Sequence, residues 1–281
     1  MSSINYSVIV PAFRENGNLR PLVTRIFGAL SQVNSPVNPA EVEVIIVDDN
    51  SRDGSVETVE SLRREGYNVR IIVRTTERGL SSAVVRGFRE ALGDNMLCMD
   101  ADLQRRGAHP PEYVPAMLAS MSPSKQFALG TRYAKGVQID EGWPLYRRVI
   151  SNGARMLALP LTSASDPMSG FFGIRKETFL KARQLNSDGF KIALDLLVKC
   201  NIPNEAIAEV PFSFGVRAEG ESKLTGKVMI RYLEQLAELY WYRFSGLIVF
   251  AALLLFVAFV LLARAMLSSY GGLDGKAQSK Y

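Results

Sequence analysis

Apolar positions in the first hundred residues fall into short continuous runs, which alternate with segments of helical spacing. The runs have the length and β-branched content of strands: Ser7–Pro11, Val42–Asp49, Val69–Val73 and Asn95–Asp102. The helical patterns lie between them: Leu19–Val33, Ser55–Glu65 and Leu80–Leu92. Strand–helix alternation with uniformly apolar strands predicts an α/β fold with a mostly parallel sheet that helices cover on both faces.

This alternation weakens after Gln104. Further strands are predicted in "FALGTRY", "FFGIRK" and "AEVPFSFGVRAEG", the last of which leads into a polar loop. Helices are predicted at three places: Leu145–Leu159, Lys176–Gln184 and Lys191–Cys200.

The C-terminal part has a different pattern. No charge occurs from Ser245 to Ala263, and this segment would span about 28 Å as a helix, close to the thickness of a hydrocarbon core. We therefore predict a transmembrane helix, with a buried core helix as the alternative. The segment before it has apolar residues at helical spacing, which predicts an interfacial amphipathic helix, with packing against the domain as the alternative. The predicted units are a globular domain at 1–224, the interfacial helix at 225–243, the transmembrane helix at 244–264 and a polar tail at 265–281.

Composition and charge narrow the class of protein. Hydrophobic content of 47% and charged content of 22% predict a packed core, and the net charge of +5 fits an anionic partner such as phosphate or a membrane surface. No arginine-rich tract, RNA-binding signature or zinc-finger spacing occurs, so nucleic acid is not an expected partner. Cys98 and Cys200 are isolated, which favours a reducing compartment. Without a secretory signal, we expect a C-terminal tail anchor and a cytosolic N-terminal domain.

The candidate chemistry lies at the predicted carboxyl ends of three strands. Polar residues cluster at Pro11–Glu15, Asp48–Asp53 and Asp100–Gln104, and open parallel sheets bind ligands at this edge. Asp100 and Asp102 would repel each other unless a cation or a proton lay between them. Mg²⁺ and Mn²⁺ prefer such oxygen ligands together with substrate phosphates. The pair therefore predicts a metal site, and a helix cap facing water is the alternative.

Two further features allow a structural or a functional interpretation. In "VDDNSRDGS", Asp, Asn and Ser can cap a helix and Gly54 can supply a turn, whereas Asp49 could also accept hydrogen bonds from a base or a ribose. Both interpretations can hold together. His109 is the only histidine of the chain, and we interpret it as a structural or solvated loop residue without a catalytic role.

Seven segments occur in the order found in dolichol-phosphate mannose synthases: "VIVPAFREN", "VDDNSRDGS", "RGLSSAVVRGF", "MDADLQ", "LGTRY", "SDPMSGFFGIRKE" and "VPFSFGVRAEGESKL". The chain thus resembles these enzymes of the inverting glycosyltransferase family 2 from Val8 to Leu224. "DPMSGFF" and "RAEGESKL" point more narrowly to polyprenyl-phosphate glycosyltransferases. The resemblance implies a glycosyltransferase-A (Rossmann-like) fold. The C-terminal span resembles the single-subunit, tail-anchored form, which implies an endoplasmic reticulum membrane location, a catalytic domain facing the cytosol and no required accessory subunits.

The resemblance implies that mannose is transferred with inversion from GDP-mannose to dolichyl phosphate. The product, dolichyl β-D-mannosyl phosphate, would be the mannose donor for N-glycosylation, O-mannosylation and GPI-anchor synthesis. One alternative is a dolichyl-phosphate β-glucosyltransferase that uses UDP-glucose. Another is an inactive membrane-anchored nucleotide-binding protein, against which the intact acidic and basic motif residues argue. A haloacid-type phosphatase is a further alternative, but its nucleophile strand normally comes first in the chain.

The resemblance also assigns site residues. The guanosine site would comprise Pro11, Phe13, Glu15, Val47 and Asp49. The ribose, metal and diphosphate site would comprise Asp100, Ala101, Asp102 and Gln104, with Asp100, Asp102 and Gln104 as ligands of Mg²⁺ or Mn²⁺. The phosphates of the donor would meet Arg132, Arg217 and Lys223. The acceptor phosphate would meet Arg132, Arg147 and Ser151. The catalytic residues would be Asp100, Asp102, Arg217 and Lys223.

The chain departs from this family pattern at one place. Arg105, Arg106, Gly107 and Ala108 separate "DADLQ" from "HPPE", which usually follows directly. The metal ligands remain in place, and the longer, more basic loop is either a lid over the donor or an insertion without a function.

Overall fold

The computed structural model describes residues 3–103, 109–133, 145–186, 189, 191–212, 229–247, 250, 251 and 253–255, with the backbone alone at 145–151. The chain divides into two compact units, Met1–Ala237 and Glu238–Tyr281.

A seven-stranded sheet forms the centre of the first unit. Its strands are β1 Tyr6–Ala12, β2 Val42–Asp48, β3 Val69–Val73, β4 Asn95–Cys98, β5 Phe127–Thr131, β6 Phe172–Arg175 and β7 Ile207–Pro211. Their order across the sheet is β3-β2-β1-β4-β6-β5-β7. β6 runs antiparallel to β4 and β5, and the other neighbouring pairs are parallel. The predicted α/β fold with a mostly parallel sheet is confirmed.

Seven helices accompany these strands in the described residues up to 212. They are α1 Asn16–Leu30, α2 Ser55–Arg64, α3 Leu80–Glu90, α4 Val114–Ala119, α5 Leu145–Ala158, α6 Lys176–Phe179 and α7 Ile192–Lys199. Short 3₁₀ turns occupy Pro39–Glu41, Pro111–Tyr113 and Asn204–Ala206. A longer helix covers 229–247, and 250, 251 and 253–255 are also helical.

The sheet separates two apolar cores because successive strand side chains point to opposite faces. Val8 and Val10 of β1 pack in one core with α1, α2 and α4. Ile9 packs in the other core with α3, α6 and α7. α3 approaches β1 closely at Gly87, where an added Cβ would lie 2.4 Å from Ile9 Cγ2. Packing on both faces explains why the strands are apolar throughout.

Two predicted elements differ in extent. The predicted helix Lys176–Gln184 is wrong beyond Phe179, because Lys181 and Ala182 donate backbone hydrogen bonds three residues back and the chain turns. The predicted strand Asn95–Asp102 ends at Cys98. The pattern did not predict α4, which is only six residues long and contains Pro115.

The helix at 229–247 begins in the first unit. There, the Tyr232 hydroxyl donates to the Ala154 carbonyl at 2.6 Å, and the Gln235 side chain exchanges hydrogen bonds with the Lys191 backbone, both at 3.0 Å. Within the described ranges, no helix is both long enough and apolar enough to cross a membrane. The predicted span at 244–264 lies mostly outside those ranges. The predicted domain bounds stay a prediction.

Candidate active site

The three predicted polar strand ends meet at one edge of the sheet. β1 lies between β2 and β4 and is parallel to both. The segments that follow Ala12, Asp48 and Cys98 therefore leave the sheet on the same side. This edge brings together most of the predicted donor-binding residues that the structure describes.

Hydrogen bonds join the segments after β1 and β2. The Arg14 backbone N–H donates to Ser51 Oγ at 2.8 Å, and the Ser51 N–H donates to Asp48 Oδ2 at 2.8 Å. Asn16 donates through its backbone N–H to Asp53 Oδ2 at 3.1 Å and through its side chain to the Asp53 carbonyl at 2.8 Å. Gly54 supplies the predicted turn with a φ of 91°, and Asp53 also accepts from the Ser55 N–H and hydroxyl at the start of α2. The predicted side-chain N-cap is wrong, because the N-cap residue of α2 is Gly54 itself.

Three non-glycine residues at this edge have left-handed backbone angles. The φ values are 58° at Arg14, 56° at Asn50 and 52° at Arg52. Such conformations cost roughly 1–3 kcal/mol each and are concentrated at ligand sites, where surrounding contacts maintain them. The strain therefore supports a binding role for the two joined segments.

The predicted guanosine residues occupy different environments. The Phe13 ring is 48% exposed, and the Arg14 guanidinium lies over it at 5.3 Å from the centroid. Glu15 precedes α1 and accepts a 2.6 Å hydrogen bond from the Asn18 side chain. Pro11 is partly buried in β1, whereas Val47 is fully buried, so its side chain does not reach a ligand. Phe13 is the best placed of these to stack on a base.

Asp49 is held by Arg74, a buried arginine outside the predicted site. Its Oδ1 accepts from Arg74 Nε at 2.7 Å and also from Arg74 Nη2, while Oδ2 accepts from the Gly79 N–H at 2.9 Å. Arg74 also donates to Ser82 Oγ at 2.8 Å and to the Gly79 carbonyl at 2.9 Å. These contacts fix the carboxylate and join it to the start of α3. A single arginine directly after an apolar strand was the available sequence signal.

Asp100 lies where β4 leaves the sheet. Its side chain is 48% exposed, and its backbone N–H donates to His109 Nδ1 at 3.0 Å. His109 is buried and stacks on the Phe171 ring at a centroid distance of 5.1 Å. Burial lowers the pKa of His109, so the ring is neutral near pH 7 and Nδ1 can accept the bond. The interpretation of His109 as structural is correct, but the solvated alternative is wrong.

The carboxylate pair is compatible with a divalent cation. Asp102 is partly buried beside the half-exposed Asp100, Ala101 between them is buried, and Gln104 lies outside the described residues. No group of three or more His, Cys, Asp or Glu side chains in the described part of the chain is arranged for a metal. Mg²⁺ commonly uses only one or two carboxylates and takes its other ligands from water and substrate phosphates. Asp100 and Asp102 therefore fit such an ion.

Lys191 lies near both Asp100 and a second cation, Arg132. Arg132 forms a two-point ion pair with the fully buried Asp166, with distances of 2.7 Å and 2.9 Å. Lys191 donates through Nζ to the Met168 carbonyl at 2.9 Å. Burial, together with the positive charge of Arg132, lowers the pKa of Lys191 to about 8. A bound anion would relieve this charge repulsion, so the pair is suited to a phosphate.

Asp166 and Lys191 were absent from the predicted site. Asp166 lies in "SDPMSGFF", and Lys191 is the cation directly before the apolar helix α7. In the sequence, the available indication for Asp166 and for Lys191 was a charged residue next to an apolar stretch. Among the other predicted residues, Arg147 and Ser151 lie in α5, but their side chains are outside the described part, as are Arg217 and Lys223 entirely.

Comparisons with known proteins identify the family of this chain. Residues 7–182 match the model of glycosyl transferase family 2. A dolichol-phosphate mannosyltransferase of Mycosarcoma maydis is 65% identical over 91% of this chain and 86% of its own length. The Saccharomyces cerevisiae protein of the same name is 58% identical over 92% and 93%, respectively. The fold also matches glucosyl-3-phosphoglycerate synthase from Mycobacterium tuberculosis, solved with Mn²⁺ and UDP-glucose, at a TM-score of 0.60 and 20% identity over 85% of this chain and 79% of that one.

The family match covers β1 to α6, and therefore includes the strand ends that carry Asp49 and Asp100. The two fungal relatives extend the similarity over nearly the whole chain. This chain therefore belongs to glycosyltransferase family 2 and, within that family, to the dolichol-phosphate mannosyltransferases.

Proposed function

We propose that this enzyme transfers mannose from GDP-mannose to dolichyl phosphate and inverts the configuration at the anomeric carbon. The observation that carries the proposal is that Lys191 lies near both Arg132 and Asp100, the latter at the carboxyl edge of the sheet. The site therefore has carboxylates that can bind a divalent metal ion and basic side chains that can bind phosphate. The names of the two fungal relatives support mannose and dolichyl phosphate as the substrates.

The guanosine part of the donor binds beside the joined segments after β1 and β2. Phe13 offers an exposed ring for stacking on the base. Asp49 accepts two hydrogen bonds from Arg74 and one from Gly79, and an ionised carboxylate has about four acceptor positions. One position therefore remains for a donor group of the nucleotide.

Asp100 and Asp102, with Gln104, would hold Mg²⁺ or Mn²⁺. When bound, the ion offsets negative charge on the diphosphate that leaves the sugar. The half-exposed carboxylate of Asp100 supports this role, because it can reach a ligand that arrives from solvent. The Mn²⁺ complex of the Mycobacterium tuberculosis synthase supports a divalent ion in this fold.

Arg132 and Lys191 bind the phosphates and hold them during transfer. An oxygen of dolichyl phosphate forms the new bond to the anomeric carbon as the bond from that carbon to GDP breaks. Because a phosphate monoester is already mostly ionised at neutral pH, the acceptor needs little help from a general base. Positioned guanidinium and ammonium groups stabilise the charge that develops on the leaving diphosphate. Arg217 and Lys223 add to this charge, and Arg147 and Ser151 bind the acceptor phosphate.

The acceptor is a lipid, and an exposed apolar surface supports a membrane location. Met156 and Leu157 near the end of α5 are 66% and 48% exposed, and Ile230 and Leu233 of the helix at 229–247 are 59% and 53% exposed. The hydrogen bond from Tyr232 to α5 joins these two segments. We place the surface against the endoplasmic reticulum membrane on the cytosolic side, with residues 244–264 as a tail anchor and no accessory subunit.

Transfer assays with purified full-length protein test the proposal. GDP-[³H]mannose or UDP-[³H]glucose would be incubated with dolichyl phosphate, with and without Mn²⁺ or Mg²⁺, and the lipid product counted. We expect metal-dependent labelling from GDP-mannose alone and its loss in Asp102→Asn, with unchanged thermal unfolding. Labelling from UDP-glucose alone would overturn the choice of donor. Nucleotide binding without any product would indicate the inactive alternative.

A further inference from the structure

The chain leaves the sheet abruptly at Asp100. The Met99 N–H still donates to the Ile9 carbonyl of β1 at 3.1 Å. One residue later, the Asp100 N–H donates to His109 Nδ1 at 3.0 Å instead. Backbone donors in a partly buried site require an acceptor. The imidazole therefore takes the place of a neighbouring strand at the residue that carries the exposed carboxylate.

Aromatic packing fixes the position of His109. Its ring is parallel to Phe171, with an interplanar angle of 15° and centroids 5.1 Å apart, and it meets Phe212 edge-on at 6.1 Å. On another side lies Gly170, where an added Cβ would be 3.1 Å from His109 Cε1 and 3.6 Å from Asp100 Oδ1. A larger residue at 170 would crowd both the imidazole and the carboxylate. The acceptor atom is thus held in one place by the core beneath it.

We propose that His109 is a positioning residue, which holds the Asp100 backbone so that the carboxylate faces a divalent cation. This inference rests on the proposed role of Asp100 and Asp102 as metal ligands. His109 Nδ1 is 3.6 Å from Asp100 Oδ2, beyond a normal hydrogen bond, and contacts the backbone N–H at 3.0 Å. The imidazole therefore acts through the main chain and leaves the carboxylate oxygens to the cation.

Two substitutions separate the hydrogen bond from the aromatic packing. His109→Phe keeps a ring that can stack on Phe171 but has no acceptor. His109→Asn loses the stacked ring, but its amide oxygen can take approximately the place of Nδ1. Positioning through the hydrogen bond predicts that Asn preserves metal binding better than Phe. If His109 were needed only for packing, His109→Phe would preserve metal binding better than His109→Asn.

Mn²⁺ binding to the full-length protein in the presence of GDP, measured by the electron paramagnetic resonance of unbound Mn²⁺, provides the readout. Removing a residue that orients a metal ligand typically costs about 10- to 100-fold in affinity. We expect a loss of this size in His109→Phe and a loss of less than about threefold in His109→Asn, even if the Asn variant unfolds at a lower temperature. Leu30→Ala, a buried core change at the far end of α1, should lower the unfolding temperature without changing Mn²⁺ affinity.

The role of His109 would be wrong if His109→Phe kept the wild-type Mn²⁺ affinity, or if His109→Asn lost more Mn²⁺ affinity than His109→Phe. Either result would leave the proposed metal site standing. Asp102→Asn provides the reference for the metal role itself. If that variant binds Mn²⁺ as tightly as the wild type, the proposed metal site is wrong and the role of His109 is rejected with it. These two failures are distinct because each appears in a different variant.

Discussion

Asp166 orients Arg132 through two parallel hydrogen bonds, from Nε to Oδ2 at 2.7 Å and from Nη2 to Oδ1 at 2.9 Å. The carboxylate is fully buried, so it has no alternative solvent partner. Burial acts to lower the pKa of Arg132, but the hydrogen bonds and charge of Asp166 raise it above its usual value. The guanidinium is therefore charged and oriented before a phosphate binds.

Asp166→Asn should break the ion pair that orients Arg132. Removing one partner of a buried ion pair typically costs about 3–5 kcal/mol, because the other charge stays buried without compensation. We expect a loss of unfolding free energy near that range in urea titrations, together with a loss of mannosyl transfer. Glu177→Gln is the matched control, since the Glu177 side chain is 55% exposed in its pair with Arg175 and its loss should change stability by less than about 1 kcal/mol. Equal stabilities of the two variants would contradict a structural role for Asp166.

Arg74→Lys should weaken donor binding through Asp49. Lysine keeps the charge but lacks the planar fork by which Arg74 contacts Asp49, Ser82 and Gly79 together. We expect the KM for GDP-mannose to rise more than kcat falls, and the unfolding free energy to fall by about 1.5–3 kcal/mol.

The control for this prediction is Arg70→Lys. Arg70 also pairs with a buried carboxylate, Glu43, but lies opposite Ile45 in the sheet, toward the amino ends of the strands. That variant should lose stability without a change in KM. A raised KM in both variants would show that the effect follows general destabilisation.

Local sequence pattern predicted the sheet and the strand ends that carry Asp49 and Asp100. Asp49 and Asp100 lie at or near the ends of apolar runs, and the position of a parallel strand's carboxyl end follows from strand–helix alternation. Asp166 and Lys191 could not be placed in this way. Their proximity to Arg132 depends on how β6 inserts between β4 and β5, and this antiparallel insertion has no signature in local hydropathy.

The low pKa of Lys191, about 8, predicts a dependence of GDP binding on pH. Protonated Lys191 attracts phosphate, so GDP affinity should fall as the pH rises through 8. Lys191→Met should bind GDP more weakly and show little change between pH 7 and 9. Isothermal titration calorimetry across this range measures both, and a parallel decline in the variant would exclude Lys191 as the cause.

Protein stability should follow the opposite trend in the absence of ligand. Because the pKa of Lys191 is lower in the folded protein than its ordinary value of 10.5, the folded state releases this proton first as the pH rises. The cost of burying the charge is present below pH 8 and is relieved between pH 8 and 10.5. The unfolding free energy of the wild type should therefore rise relative to that of Lys191→Met over this interval, as urea titrations would show.

The exposed apolar surface on α5 and the helix at 229–247 predicts a lipid-dependent effect. Ile230→Asp places a charge on this surface, and because Ile230 is 59% exposed the fold should change little. We expect a higher KM for dolichyl phosphate in vesicles and an unchanged KM for a short, water-soluble prenyl phosphate. Val33→Asp is the control, since Val33 is fully exposed near the end of α1, outside this surface. Equal effects on both acceptors would contradict membrane contact.

Arg217 and Lys223 lie outside the described residues, and their predicted contacts with the donor phosphates can be tested by a double-mutant cycle. Each lies in "RAEGESK", where Gly220 permits a change in backbone direction and no apolar stripe indicates a packed helix. Loss of one charge-assisted contact to a developing negative charge costs about 100- to 1,000-fold in rate. Arg217→Ala and Lys223→Ala should each lower kcat by that order, and the double variant should lose less than the product of the two if both contact one diphosphate.

Glu219→Gln, in the same segment, should change kcat less than twofold, on the order expected of a solvated surface charge. Wild-type rates in both single variants would show that Arg217 and Lys223 are solvated surface residues without a role in transfer. If the loss of kcat in the double variant equals the product of the two single losses, the two residues contact separate phosphates.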